Sequence, residues 1–287
     1  MTRYIPFIFV LLWSTGFVGA KFGLPYAEPF TLLMWRMSIV VPLFIILIVI
    51  FKRPKISLFD AAIQGLVGLL IHGIYLGGIF AAIDANMPAG LTALFVSLNP
   101  IMLAMFSGII LNKVITKREW ISLSLGLLGV IIVLYGASKW EGVISYTGII
   151  WLTISLFSIV AGTLLQKRFA QHVDLITGSS FQYGASLIYF MILSFSIETG
   201  EVDWNINLTL TLAWLVIVLS LVAILLLLYT IRHGEATRVA SYFYLTPPFA
   251  AFWGWLFFDE QWSWMTIAGG ILVVGALVMN RSKEPQK

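Results

Sequence analysis

Apolar residues run along this chain in long stretches that are separated by short polar breaks. We divide it into ten stretches of membrane-spanning length, because a bilayer core takes about 20 apolar residues per helix. The predicted spans run over roughly 4–24, 29–51, 58–82, 87–111, 119–136, 145–166, 175–197, 208–231, 236–258 and 262–280. The connections are only a few residues long. The pattern therefore predicts an all-α polytopic membrane protein with no room for a soluble catalytic domain.

One segment of the first half returns in the second half. When residues 89–104 are laid on 236–251, the identical positions are Ala89/Ala236, Ala93/Ala240, Leu98/Leu245, Pro100/Pro247 and Ala104/Ala251. The alanines and the proline follow at helical spacing and share one face. With five spans per half, the second half crosses the membrane in the opposite sense, which is the construction of many secondary transporters. We therefore predict two inverted five-helix repeats, residues 1–141 and 142–281, and a short tail at 282–287.

Charge is scarce and lies mostly on one side. The chain is 60% hydrophobic and 10% charged, against about 25% charged in soluble proteins. Of 17 Lys and Arg, Lys139 falls in an outer loop and Lys21 and Arg36 fall within spans, which leaves 14 for cytoplasmic loops. This bias predicts cytoplasmic N- and C-termini and a multi-pass protein of the cell membrane, the inner membrane in a bacterium. The basic loops fit anionic lipid and give no indication of nucleic-acid binding.

Catalytic and metal-binding motifs are missing from the sequence. It has no Gly-Lys pair for a nucleotide-binding loop and no His-Glu-x-x-His or Gly-x-Ser-x-Gly motif. Without cysteine, thiolate metal sites are excluded. We therefore expect no enzyme, no cofactor and no metal. The expected partners are a small-molecule substrate and the lipid bilayer. The oligomeric state stays open, and a monomer is compatible with the sequence.

Polar side chains within the spans are the candidates for a substrate cavity, because burying them in hydrocarbon is costly. The cavity candidates are Trp13, Ser14, Thr15, His72, Tyr75, Asn99, Gln182, Tyr183 and Tyr242. His72 and Tyr75 are three residues apart and share a helix face. Two structural alternatives stay open: Ser and Thr also favour close helix packing, and a buried histidine can be satisfied by a neighbour.

Two basic residues lie within spans and away from the cytoplasmic ends of those spans. Lys21 can extend to the interface or attract a substrate carboxylate at the outer mouth. Arg36, two turns into the second span, can pair with Glu28 or helix-end carbonyls, or can serve as an anion ligand.

Prolines recur near the predicted midplane of spans four and nine. Pro100, Pro247 and Pro248 each remove a backbone donor, and in equivalent spans they favour a hinge or gate. The tryptophans near the outer ends of spans nine and ten are interpreted as an interfacial belt; they are Trp253, Trp255, Trp262 and Trp264.

These features together resemble the drug/metabolite transporter superfamily, specifically its ten-span EamA-type exporters. The matching features are Trp13-Ser14, Lys21, Arg36, the Ala-x-x-x-Ala-x-x-x-x-Leu-x-Pro runs, Phe258-Asp259-Glu260, Gly269-Gly270 and Gly275-Ala276. The first half departs from the family at Asn112-Lys113, where a glutamate is usual. The resemblance implies a central cavity between two halves that opens alternately to each side. Family members export amino acids and other small metabolites, and some carry nucleotide sugars, purines or drugs.

The expected function is therefore secondary transport of small metabolites out of the cytoplasm, with amino acids first and aromatic or hydrophobic ones favoured by the aromatic candidates. Multidrug or lipophilic-compound efflux by the same fold is the alternative. A membrane enzyme or a structural subunit is the less favoured one.

Overall fold

The computed structural model describes residues 4–87, 92, 95–96, 98–110, 114–137, 145–233, 242–258 and 264–280. Helices form nearly all the regular structure of these residues, with one isolated antiparallel β-bridge between Ala27 and Val202. Four alanines of the repeated segment, the predicted junction of the repeats and the predicted tail lie outside the described residues.

Each predicted span contains a helix. In chain order these are α1 Ile5–Gly23, α2 Pro29–Ile50, α3 Leu58–Asp84, α4 Asn99–Ile110, α5 Lys117–Ala137, α6 Tyr146–Phe169, α7 Leu175–Ile197, α8 Ile206–His233, α9 Thr246–Phe258 and α10 Trp264–Asn280. Within the described residues, α1, α2, α3, α6, α7 and α8 are long and apolar enough to cross a membrane. Several helices of this length and apolarity are typical of a multi-pass membrane protein.

Two of the helices contain a π-helical segment in their middle. In α3 it covers Leu69–Ile74, and in α8 it covers Leu215–Ala223. The alignment that lays residues 89–104 on 236–251 also lays 69–74 on 216–221, inside the second segment. A π-helix widens the turn and re-aims side chains, and it often marks a functional site. The apolar pattern alone predicted plain α-helices here.

The prolines of spans four and nine lie at helix starts. The helix α4 begins at Asn99, so Pro100 is its second residue. Likewise α9 begins at Thr246, directly after the 3-10 turn Tyr242–Leu245. In the first helical turn the missing proline N–H interrupts no hydrogen bond. The predicted kinks within longer helices are therefore replaced by breaks that precede the prolines.

The ends of α2 and α7 cap one another at what we call the Ala27 end, the loops 24–28 and 198–205. The Glu198 carboxylate accepts hydrogen bonds from the backbone N–H of Phe30 and Thr31 at 2.8 and 2.6 Å. In return, Glu28 accepts from the backbone N–H and hydroxyl of Thr199 at 2.7 and 2.6 Å. A carboxylate at a helix N-terminus also meets the positive end of the helix dipole. This end of the bundle is therefore clasped.

The opposite end, the Asp60 end, comprises the loops 51–57 and 170–174. Ser57 caps α3, with its hydroxyl 3.0 Å from the backbone N–H of Asp60. His172 lies 2.9 Å from the Asp60 carboxylate, and Arg53 lies 3.5 Å from that of Asp174. These contacts join α2 and α3 to the start of α7.

Helices of the two predicted halves pack against each other, so the halves do not form separate bodies. The most extensive pairs are α5 with α10, α2 with α7, and α3 with both α6 and α7. The contact between α3 and α7 is closest at Gly68, where an added Cβ would lie 2.2 Å from the Gln182 Cα atom. Ser186 also donates to the Gly68 carbonyl at 3.0 Å. Only glycine fits this backbone approach.

Candidate functional site

A small cavity lies where α1, α2, α3 and α8 meet. Its volume is about 40 Å³, and its lining includes Trp13, Arg36, His72 and Tyr75. A water needs at least about 10–15 Å³ in this measure, so the cavity holds a few water molecules at most. The fold therefore brings four of the residues predicted from sequence to one place, around one small cavity.

Arg36 brings a positive charge to this cavity. Its side chain is 4% exposed, and its Nε donates to the Ser220 hydroxyl at 2.9 Å. Among the described residues the terminal guanidinium nitrogens have no hydrogen-bond partner and no carboxylate at ion-pair distance. The proposed pairing with Glu28 is wrong, because Glu28 bonds to Thr199 at the Ala27 end. A buried charge without a counter-charge is expensive.

The ring of His72 is held between α3 and α7. It stacks on Tyr183, with ring centroids 4.4 Å apart and planes 10° apart. The Tyr183 hydroxyl donates to the carbonyl of Ser220 at 3.0 Å. Tyr183 thus supports the histidine from behind and is not among the residues that line the cavity. The π-helical segment of α3 places His72 here.

An aromatic pair forms the other side of the cavity. Trp13 of α1 stacks on Tyr75 of α3, with centroids 6.3 Å apart and planes 10° apart. Phe80, also on α3, completes the apolar lining. Such faces suit apolar or aromatic groups and can also attract a cation.

A chain of buried amides continues from His72. The Nε2 of His72 lies 3.1 Å from the Gln182 Oε1. The Gln182 amide nitrogen donates to the side-chain oxygens of Gln64 at 2.6 Å and Gln166 at 3.2 Å. Gln64 in turn donates to the Ala170 carbonyl at 3.4 Å. The network connects α3, α6 and α7.

Ser14 and Thr15 face away from the small cavity. Their hydroxyls accept hydrogen bonds from the indole N–H of Trp253, at 2.8 Å, and of Trp214, at 2.9 Å. This favours the helix-packing alternative for both residues and corrects the interfacial role expected of Trp253. On this side, α1, α8 and α9 border a groove of about 580 Å³ that is mostly apolar and includes Phe22 and Phe257.

The remaining predicted residues lie apart from the cavity. Lys21 is exposed near the end of α1, and Tyr242 is half-buried before α9. Asn99 is 2% exposed, and its Oδ1 has no hydrogen-bond partner. The buried Thr246, which the repeat pairs with Asn99, has an equally unpartnered Oγ1. The described residues hold no group of three His, Cys, Asp or Glu that could bind a metal.

Three functional candidates were missed from sequence. Gln64 lies in the second turn of α3 and Gln166 in the last turn of α6, away from the middle of either span. Ser220 is the only hydroxyl residue between Thr211 and Tyr229 in the strongly apolar middle of α8. A polar residue in an apolar run is a usable signal, but its partners lie on other helices and leave no mark in the local pattern.

Comparisons with known proteins fit this architecture. A solved crystal structure superposes with a TM-score of 0.82 over 97% of both chains at 18% identity, which supports the fold. The uncharacterized transporter YvbV of Bacillus subtilis is 24% identical over 97% of this chain and 91% of its own length. The pseudopaline exporter CntI of Pseudomonas aeruginosa is 27% identical over 77% of each chain. The S-adenosylmethionine/S-adenosylhomocysteine transporter of Chlamydia muridarum is 25% identical over 96% of this chain and 90% of its own.

The family model identifies the family. The model of the EamA-like transporter family matches residues 4–135 and 146–282, nearly the whole chain. Its relatives are named as transporters or exporters, which supports small-molecule transport across a membrane rather than enzymatic catalysis. The chain belongs to the EamA-like transporter family.

Proposed function

We propose that this protein is a secondary transporter that carries small metabolites, amino acids in the first place, out of the cytoplasm by alternating access. The observation that carries the proposal is the buried guanidinium of Arg36, which lines a cavity and has no counter-charge among the described residues. Relatives are named for different metabolites, so the family alone does not indicate a substrate. The substrate class has to be inferred from the residues that line the cavity.

The charge of Arg36 favours a substrate with a carboxylate. A guanidinium presents donors in a planar fork that matches a carboxylate with two parallel hydrogen bonds. Each hydrogen bond to a charged group contributes about 1.5–3 kcal/mol. Ser220 holds Nε and so aims the remaining nitrogens. An amino acid supplies the carboxylate, and the Trp13–Tyr75 pair suits an apolar or aromatic side chain.

The two-repeat architecture remains part of the proposal. One sequence offset relates the π-helical segments of α3 and α8, and it also relates the helix starts at Asn99 and Thr246. The family model likewise matches two separate stretches. These observations support inverted repeats over 1–141 and 142–281 and ten spans. The Lys and Arg bias of the loops supports cytoplasmic termini, with the Asp60 end on the cytoplasmic side.

The size of the cavity supports alternating access. A volume of about 40 Å³ cannot admit an amino acid unless helices separate. The breaks before Pro100 and Pro247 supply places where α4 and α9 can tilt. Efflux of lipophilic compounds is the second candidate, because the groove between α1, α8 and α9 has about 580 Å³ and a mostly apolar lining.

Counterflow in proteoliposomes tests the proposal. Vesicles are preloaded with the twenty amino acids, and labelled phenylalanine or leucine is added outside. We expect saturable uptake that depends on the preload. Phenethylamine, which lacks the carboxylate, should compete poorly. Arg36→Gln should reduce uptake at least about tenfold, since one charge-assisted hydrogen bond already corresponds to that factor.

Arg53→Gln is the matched control, because Arg53 pairs with Asp174 at the Asp60 end, far along α2 from the cavity. Uptake by this variant should stay near wild type. Absence of counterflow for the whole amino acid pool, together with saturable flux of lipophilic compounds, would transfer the assignment to the second candidate.

A further inference from the structure

Gln182 has a hydrogen-bonding arrangement that determines which nitrogen of His72 carries the proton. Its side chain is fully buried, and those of Gln64, Gln166 and His72 are at most 3% exposed. These side chains are shielded from bulk solvent, so the direction of each amide follows from its neighbours.

The direction is set at the Ala170 carbonyl. A carbonyl accepts only, so the Gln64 side chain presents its nitrogen there, at 3.4 Å. The Gln64 oxygen then faces Gln182 and must receive a donor, which is the Gln182 nitrogen at 2.6 Å. The second hydrogen of that nitrogen goes to Gln166. Both donors of the Gln182 amide are therefore used.

The Gln182 oxygen is left to face His72. It is an acceptor 3.1 Å from the Nε2, so Nε2 must carry the hydrogen. In the neutral imidazole the other nitrogen, Nδ1, is then an acceptor. No described residue hydrogen-bonds to Nδ1, and His72 lines the same cavity as Arg36.

We propose that Gln182 is a positioning residue that, with Gln64 and Gln166, fixes the Nε2–H tautomer of His72 and thereby gives the cavity an acceptor for the ammonium group of an amino acid substrate. This inference rests on the proposed function and deepens it. Arg36 binds the carboxylate and His72 Nδ1 binds the ammonium group, so the cavity recognises both charged groups of a zwitterion. The Trp13 and Tyr75 rings offer their faces to the remaining side chain.

The tautomer can be measured without any substrate. The chain has three histidines, so His172→Gln and His233→Gln leave His72 as the single labelled ring in a ¹⁵N-histidine sample. We expect a pyrrole-type Nε2 and a pyridine-type Nδ1. Gln182→Met removes the acceptor and should abolish the preference for this tautomer. Gln182→Glu keeps an acceptor and should retain the hydrogen on Nε2.

Ser186→Ala is the matched control, because Ser186 lies one turn further along α7 and bonds to Gly68 without touching His72. It should leave the tautomer unchanged. If Gln182→Met does not fold, Gln64→Leu removes the group that orients the Gln182 amide and should give the same mixture. A pyridine-type Nε2 in the parent protein, or an unchanged spectrum in the Gln182 or Gln64 variant, overturns the inference.

Transport provides the second measurement. In Gln182→Met the half-saturating phenylalanine concentration should rise about tenfold relative to Ser186→Ala, the equivalent of one lost charge-assisted hydrogen bond. Competition by 3-phenylpropionate, which has the carboxylate but no ammonium group, should be unchanged. An equal loss for both compounds contradicts the role of Nδ1. A wild type that carries no amino acid defeats the proposed function alone, since the spectrum still tests the tautomer.

Discussion

Replacing Gly68 with alanine should force α3 and α7 apart. The added Cβ would lie 2.2 Å from both the Cα and the carbonyl oxygen of Gln182. Ordinary van der Waals contact begins at about 3.4 Å, and the obstacle is backbone, so no side-chain rotation relieves it. Overpacking of this kind costs about 1–3 kcal/mol or more, against a helix-propensity gain of about 1 kcal/mol for alanine. Because the obstacle is backbone, we take the upper end of that cost, about 3 kcal/mol, and expect a net destabilisation of about 2 kcal/mol.

The measurement is the melting temperature of the purified protein in detergent. About 2 kcal/mol corresponds to a decrease of roughly 4–8 °C, extrapolating from domains of 150–250 residues. Gly184→Ala on α7 is the matched control, because its Cβ would meet nothing within 4 Å. That variant should melt at or above the wild-type temperature. Equal melting temperatures for the two variants would refute the proposed backbone contact at Gly68.

Three further predictions concern stability and opening. Thr246→Val should raise the free energy of unfolding by about 1 kcal/mol, because it removes an unpartnered buried hydroxyl; a lower melting temperature would show that the hydroxyl has a partner. Glu198→Gln should lower the melting temperature by weakening three hydrogen bonds at α2, whereas Glu201→Gln should not. The chain has no cysteine, so Ala27→Cys and Val202→Cys can form a single disulfide at the β-bridge. This disulfide should stop counterflow until it is reduced. Full counterflow in the oxidised variant would show that the Ala27 end stays closed during transport.

The helices could be predicted from sequence because their signal is local. A bilayer requires about 20 apolar residues per span, and this length is visible without knowing any neighbour. The grouping of Trp13, His72 and Tyr75 was also within reach, since polar and aromatic residues in apolar runs are conspicuous. Their position within the predicted spans was enough to select them as candidates.

The contacts of these residues could not be predicted in the same way. Ser14 is a polar residue in an apolar span, as expected of a cavity residue. Its hydroxyl, however, accepts a hydrogen bond from Trp253, 239 positions away. Arg36 meets Ser220 on α8 rather than the nearer Glu28. The π-helical segments could not be predicted either. A widened turn changes which side chains share a helix face, but it does not change the number of apolar residues in the span. Side-chain partners depend on the packing of distant helices, which local spacing does not encode.

The burial of Arg36 also bears on how the proposed transport is driven. The clasp at Glu198 holds the ends of α2 and α7 together at the Ala27 end. Arg36 is buried without a counter-charge among the described residues, which raises the free energy of this form of the cavity. A bound carboxylate removes that cost only when the cavity is closed around it. Under the proposed function, substrate therefore favours closure through its differential affinity for the closed form. Exchange of substrate across the membrane should then be faster than the return of a carrier without substrate.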